Sequence, residues 1–224
     1  MRTILALLLI LVAPPAFAAG GAYAVDDSEV TEPGTCKADA WASFSDERER
    51  KFVVSPACTF STLPFLEVSA AIERERSASR EWSTGLGPKL KANLLPIEER
   101  GFGLAVAVGA GYATRTSRVD AWTAALLGSV EPMENMRVNL NLGWERDREA
   151  DRDFLTWGAG ADVGIAEGWT LIGEVFGKDR GRTSAQFGVR PTVWDGRMDI
   201  DLIYGRNLGD ERAHWLTLGV TLRF

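Results

Sequence analysis

From residue 35 to the carboxyl terminus, apolar and polar positions alternate in short runs separated by charged or Pro/Gly-containing breaks. The last run shows the pattern most clearly. Leu216, Leu218, Val220, Leu222 and Phe224 share one parity, and Trp215, Thr217, Gly219, Thr221 and Arg223 share the other. Alternation with period two specifies a strand with one apolar face. The same reading predicts strands over 35–45, 51–62, 65–74, 81–94, 102–114, 119–130, 136–146, 153–165, 169–178, 183–194, 198–207 and 214–224. In 136–146, for example, Met136, Val138, Leu140, Leu142 and Trp144 lie opposite Arg137, Asn139, Asn141, Gly143 and Glu145. The run 119–130 leaves its faces open, because Trp122/Leu126 and Ala121/Ala125 are both acceptable outward sets.

The breaks are of two kinds, and they take turns. Charged tips occur at 46–51, 74–80, 115–118, 146–152, 179–182 and 209–212. Tighter turns fall between them, at 63–64, 96–101, 131–135, 166–168 and 195–196. A turn of one kind thus recurs roughly every 33 residues, which is the signature of a meander of hairpins with two different rims. The expected fold is all-β: an antiparallel up-and-down transmembrane β-barrel of about twelve strands.

A soluble sandwich would also alternate, so the position of the aromatic residues decides. With the first strand running outward, Phe44, Trp82, Tyr112, Trp144, Trp157 and Tyr204 gather near the outer rim. Phe60, Phe65, Phe102, Trp169 and Phe224 gather near the inner rim. Two aromatic belts with aliphatic residues between them fit a bilayer with two interfaces. A soluble core would place such rings in mid-strand.

The chain of 224 residues is one domain by length, with a net charge of −6. Residues 1–18 read as a secretory signal: Arg2, an apolar run Ile4–Val12, and the small-x-small site Ala16-Phe17-Ala18. A second small-x-small site at Ala22-Tyr23-Ala24 would move the cut as late as residue 24. Residues 25–34 (VDDSEVTEPG) are acidic and aperiodic, and are expected to be a short disordered periplasmic lead-in. Residues 35–224 are the barrel.

Inward-facing charges are expected at Lys89, Lys91, Arg190, Asp199, Asp201 and Arg223. Asp199 and Asp201 should meet Arg190 and Arg223 across neighbouring strands near the periplasmic end, as a mixed-sign network. Cys36 and Cys58 are equidistant from Glu47, the tip of the first charged loop. They therefore face one another across that hairpin, and export permits a disulfide. One histidine and the lack of any Cys-x-x-Cys support no metal site. No cofactor and no nucleic-acid partner is expected.

His214 admits an alternative. Outer-membrane lipid hydrolases pair histidine with serine near the outer leaflet, and Ser43 and Ser45 lie near the same rim. By alternation, however, His214 faces lipid and both serines face the lumen, so catalytic contact would need a bulge. Gly109-Ala-Gly111 and Gly158-Ala-Gly160 lie inside alternating strands, which excludes a phosphate loop. Inward glycines leave room in the lumen or ease curvature.

The terminal Phe224 with its alternating partners Leu218, Val220 and Leu222 resembles the closing strand of bacterial outer-membrane barrels. In that family this strand is the assembly signal. The hairpin Gly188–Arg206 is similar to the penultimate hairpin of barrels grouped with the meta-pathway phenol-degradation family. The resemblance implies a barrel of the small porin or transporter-like kind in a Gram-negative outer membrane. Its implied partners are the bilayer, the barrel-assembly machinery and small solutes. The leading function is passive or weakly selective solute passage. A lipid-modifying enzyme and a closed structural barrel are the rivals.

Overall fold

The structure is a computed structural model and describes residues 22–76, 81–209 and 213–224. The expected secretory signal at 1–18 lies outside the described residues, as do parts of the charged tips at 74–80 and 209–212.

Twelve strands form one closed barrel in sequence order, each antiparallel to the next: β1 (Thr35–Ser45), β2 (Arg50–Thr59), β3 (Leu66–Arg76), β4 (Trp82–Leu95), β5 (Phe102–Ala113), β6 (Arg118–Met133), β7 (Met136–Asp147), β8 (Arg152–Ala166), β9 (Trp169–Lys178), β10 (Thr183–Val193), β11 (Met198–Asn207) and β12 (His214–Arg223). β1 and β12 close the wall, in register from Lys37 opposite Arg223 to Ser45 opposite Trp215. Closure leaves no strand edge unpaired, which is the condition for a sheet to cross a bilayer.

The faces follow sequence parity. Leu216, Leu218, Val220 and Leu222 point outward, as do Leu86, Leu90 and Leu94, while Thr217, Thr221, Asp199, Asp201 and Lys91 are buried inside. β6 resolves its ambiguity with Trp122, Leu126 and Val130 outward. Leu127 then faces the lumen, where it packs with Ala105, Ala107 and Ala125. The neighbouring strands decide this face, because Ala107 pairs with Ala125 across β5–β6.

The termini of the barrel meet at one rim. The Cys36 and Phe224 backbones exchange both hydrogen bonds, at 2.8 and 2.9 Å. Cys36 and Cys58 are directly opposed in register and form a disulfide, with their Cα atoms 4.1 Å apart. That is the closer of the two separations that antiparallel pairs alternate between.

Residues 22–34 depart from the expectation of a disordered periplasmic lead-in. They turn back and run inside the barrel. Gly34 makes the turn, with φ +87° and its N–H on the Thr59 carbonyl at 2.7 Å. Only glycine adopts that conformation without strain, and a β-carbon there would also come within 2.6 Å of the Ser61 hydroxyl. The physical reason for the difference is charge. The segment is acidic, and the wall it meets offers buried cations.

Candidate functional site: the occupied lumen

Residues 22–31 cross the lumen from the β3 wall to the β12 wall. A segment with no secondary structure leaves its backbone polar groups for others to satisfy, and here inward side chains do so. Thr31 donates its N–H and hydroxyl to Glu67 of β3 (2.9 and 2.6 Å), and Ser28 donates its N–H to Ser129 of β6 at 2.9 Å. Asp26 and Asn141 of β7 bond reciprocally, N–H to Oδ1 at 2.8 Å and Nδ2 to carbonyl at 2.7 Å. The Ala24 and Val25 N–H groups both reach the Glu174 carboxylate of β9, at 3.0 and 3.2 Å.

Ion pairs hold the same segment. Lys91 of β4 lies 2.9 Å from both Asp26 and Asp27, and Lys89 lies 2.5 Å from Asp26. Glu29 pairs with Arg137 of β7, which also bonds Glu131 at 2.6 Å. Lys91 and Asp27 are almost completely removed from solvent, at 2% exposure each. Burial by itself would raise the Asp26 carboxyl, but the Lys89 and Lys91 ammoniums outweigh it and hold the group below the usual carboxylate range.

Shape matches charge. A β-carbon at Gly158 would stand 2.8 Å from the Val25 side chain. One at Gly188 would collide with the Tyr23 hydroxyl, whose ring lies 4.9 Å beneath the Arg190 guanidinium. These glycines give room for the segment itself, a narrower role than easing curvature.

Of the inward charges expected from the sequence, Lys89 and Lys91 therefore bind the amino-terminal segment. The other four form a second network, which touches the segment where Arg190 covers the Tyr23 ring. Arg190 contacts Asp201 at 2.7 Å and Asp199 at 4.0 Å, and Arg223 pairs with Asp199. Thr192 joins it, donating to Asp199 at 2.8 Å, and beside it Thr221 donates to Asp39 at 2.6 Å. Sequence reasoning missed Asp26, Asp27, Glu29, Arg137, Asn141 and Glu174 as a set. The available signal was an acidic run before Pro-Gly, coupled to inward cations on later strands.

On the far side of the segment a cavity of about 610 Å³ extends from Ala24 and Asp26 up to Arg182 in the β9–β10 tip. Its wall mixes apolar Ala107, Ala125, Leu127 and Phe176 with Thr123, Asn141, Glu145 and Lys178. Glu145 and Lys178 are paired at 2.6 Å. Among the described residues no cluster of ligating side chains of the kind that holds a metal ion occurs.

The lipase-like pairing is not assembled. The His214 Nδ1 lies 2.5 Å from the Tyr204 hydroxyl on the outer face, whereas Ser43 bonds Thr217 at 2.6 Å on the inner face, and Ser45 accepts from the Glu47 N–H. Leu218, Val220, Leu222 and Phe224 form an exposed apolar row ending at the closing seam.

Among solved structures the chain is similar to the KdgM porin, at 14% identity and a TM-score of 0.69, covering 84% of this chain and 99% of that one. It is also similar to the NanC porin, at 7% identity and 0.63 over 83% and 98%. A third likeness is the COG4313 outer membrane channel from Pseudomonas putida F1, at 13% identity and 0.59 over 88% and 98%. At such identities the likeness is one of fold. No protein of curated function matches the sequence. The chain belongs to the family described as "Uncharacterised conserved protein UCP029691", whose model matches residues 7–224.

Proposed function

We propose that this chain is an outer-membrane channel for small polar solutes, closed at rest by its own amino-terminal segment. The observation that carries this reading is the way the segment is held. It is bound by ion pairs and side-chain hydrogen bonds to a wall whose ladder is complete without it. Removing it leaves a polar passage between the two rims. A barrel meant to be permanently shut is more simply filled by inward side chains, as small barrels can be. Here the wall instead presents glycines where the segment lies. The solved porins and channel of similar fold support the outer-membrane setting and passive transport.

In this reading the cavity on the outer side is the entry vestibule. The paired charges Glu145–Lys178 and Arg190–Asp201 give the path mixed sign, so ion selectivity is weak. Leu218, Val220, Leu222 and Phe224 serve assembly. His214 is an interfacial polar residue paired with Tyr204.

Planar-bilayer recordings of the full chain and of a form lacking residues 22–31 test the proposal. The full chain should show small or infrequent openings, and the shortened form a steady, larger conductance. Silence in both, with the shortened barrel still heat-modifiable, would instead establish a closed structural barrel.

A further inference from the structure

We propose that the outward face of β2–β3 at the charged-tip end binds a phosphate of lipid A in the outer leaflet, through Arg50, Arg74 and Arg76.

The three side chains share the lipid-facing parity. Arg50 lies directly opposite Arg76 across β2–β3, and Arg74 lies opposite Phe52 one step deeper. Opposed like charges destabilise a strand pair, yet both positions are arginine. Among the described residues no carboxylate lies within ion-pairing distance of any of the three. The nearby acids are turned the other way: Glu73 pairs with Lys51 on the inner face at 2.6 Å. The buried Arg76 Nε has no hydrogen-bond partner among the described residues. Three guanidiniums with no counter-ion among the described residues, one of them with a buried donor unpartnered there, call for an external anion.

The surroundings fix its class. Aromatic rings flank and underlie them: Phe44 stands opposite Arg50 and Trp82 opposite Arg76, and Phe52 one step deeper packs against both, with ring centroids 6.0 Å apart in each pair. The Arg74 guanidinium lies 5.3 Å over the Trp82 ring, which orients its donor edge. Rings of this kind mark the membrane interface, so the arginines stand at headgroup level, above the acyl chains. Their end of the barrel is the one with long charged tips, opposite the joined termini, and long loops belong to the outer surface. An anion at that height, attached to chains that cover Phe52 and Ile72 below it, is a lipid phosphate. The inference needs the outer-membrane setting but no channel activity.

Native mass spectrometry of the protein purified from outer membranes tests it, with bisphosphoryl lipid A, monophosphoryl lipid A and inorganic phosphate as probes. The natural chain should hold bisphosphoryl lipid A more tightly than the monophosphoryl form. R50Q/R74Q/R76Q should bind it at least about tenfold more weakly, the factor for losing one charge-assisted contact. R197Q, at an exposed turn on the opposite rim, should bind as the natural chain does. R50Q alone should fall between, which keeps the test valid if the triple variant does not fold. Equal retention by natural and R50Q chains would overturn the proposal. So would binding that ignores the phosphates, and so would full displacement by millimolar inorganic phosphate, which would mark a site for the free ion.

Discussion

Two sets of cations on this barrel contrast sharply. On the inner face Lys89, Lys91, Arg137, Arg190 and Arg223 each meet a carboxylate, supplied by the wall or by the amino-terminal segment. On the outer face Arg50, Arg74 and Arg76 stand together among aromatic rings, with no carboxylate partner among the described residues. One-residue parity separates the two sets: Lys51, next to Arg50, points inward and is paired with Glu73. The difference teaches where each face expects its counter-charge to come from. The lumen brings its own, whereas the outer rim leaves it to the membrane.

The largest expected effect comes from placing a charge on the outer face at the wrong end. Phe224 is the most exposed aromatic residue of the inner rim, at 73%. In a finished barrel a carboxylate there costs only about 0–1 kcal/mol, because it lies near an interface. Assembly is another matter, since the terminal aromatic strand resembles the family's recognition element. F224E should abolish most heat-modifiable protein in the outer membrane while export to the periplasm continues. Normal levels of assembled F224E would break the distinction drawn between the two rims.

Next in size is the loss of a cation from the inner set. K91M leaves Asp26 with its Lys89 pair and strips Asp27 of its contact with the Lys91 ammonium. Removing one partner of a buried pair costs about 3–5 kcal/mol. The segment can respond by leaving the lumen, so the barrel itself should keep its melting temperature. The expected readout is cleavage of residues 22–34 by added protease, together with more frequent channel openings. K91M/D27N should recover part of the protection, as coupled neighbours do. Protection unchanged in K91M would show that the pairs are incidental.

The disulfide is a smaller lever at the root of the same segment. Cys36 lies two residues after the Gly34 turn, and the bridge closes a separation of 22 residues. In the chain-entropy model that is worth about 3 kcal/mol, an upper figure because the β1–β2 ladder already ties the hairpin. C36S/C58S should lower the thermal midpoint and leave β1–β12 closure intact. Non-reduced mass spectrometry should show the bridge in the natural protein, and free thiols there would refute it.

The wall was legible because alternation carries register. Parity alone sorted Leu86 from Lys89 and Ile200 from Asp201, and equal spacing about Glu47 set Cys36 opposite Cys58. β6 was not decided by its own residues, because alanine suits either face and only pairing with Ala105 and Ala107 turns Leu127 inward. The lumen segment was illegible for a deeper reason. VDDSEVTEPG has no period, and its partners lie 64 and 149 positions away in Lys91 and Glu174. Composition shows that it is acidic, but only the closed barrel shows which cations it meets. An aperiodic acidic run thus looks the same whether it is solvated or clasped.

The smallest effect concerns acid, and its sign follows from two carboxylates of the segment. Asp26 is held below its usual range by Lys89 and Lys91 against the opposing effect of burial. Its contribution to docking is therefore present above the ordinary aspartate range and is lost only as pH falls through its lower docked value. Glu29 goes the other way. Burial, with help from Asp27 and against the pull of Arg137, raises it to about 7. A carboxyl raised in the docked state favours docking as pH falls from that value toward the free one. Between pH 8 and pH 5 the first effect is flat and the second tightens. Acidification over that range should leave open probability unchanged or modestly lower, and E29Q should weaken the dependence. A rise in openings at pH 5 would mean that acid releases the segment, and the inner set would then lack the permanence that separates it from the arginines outside.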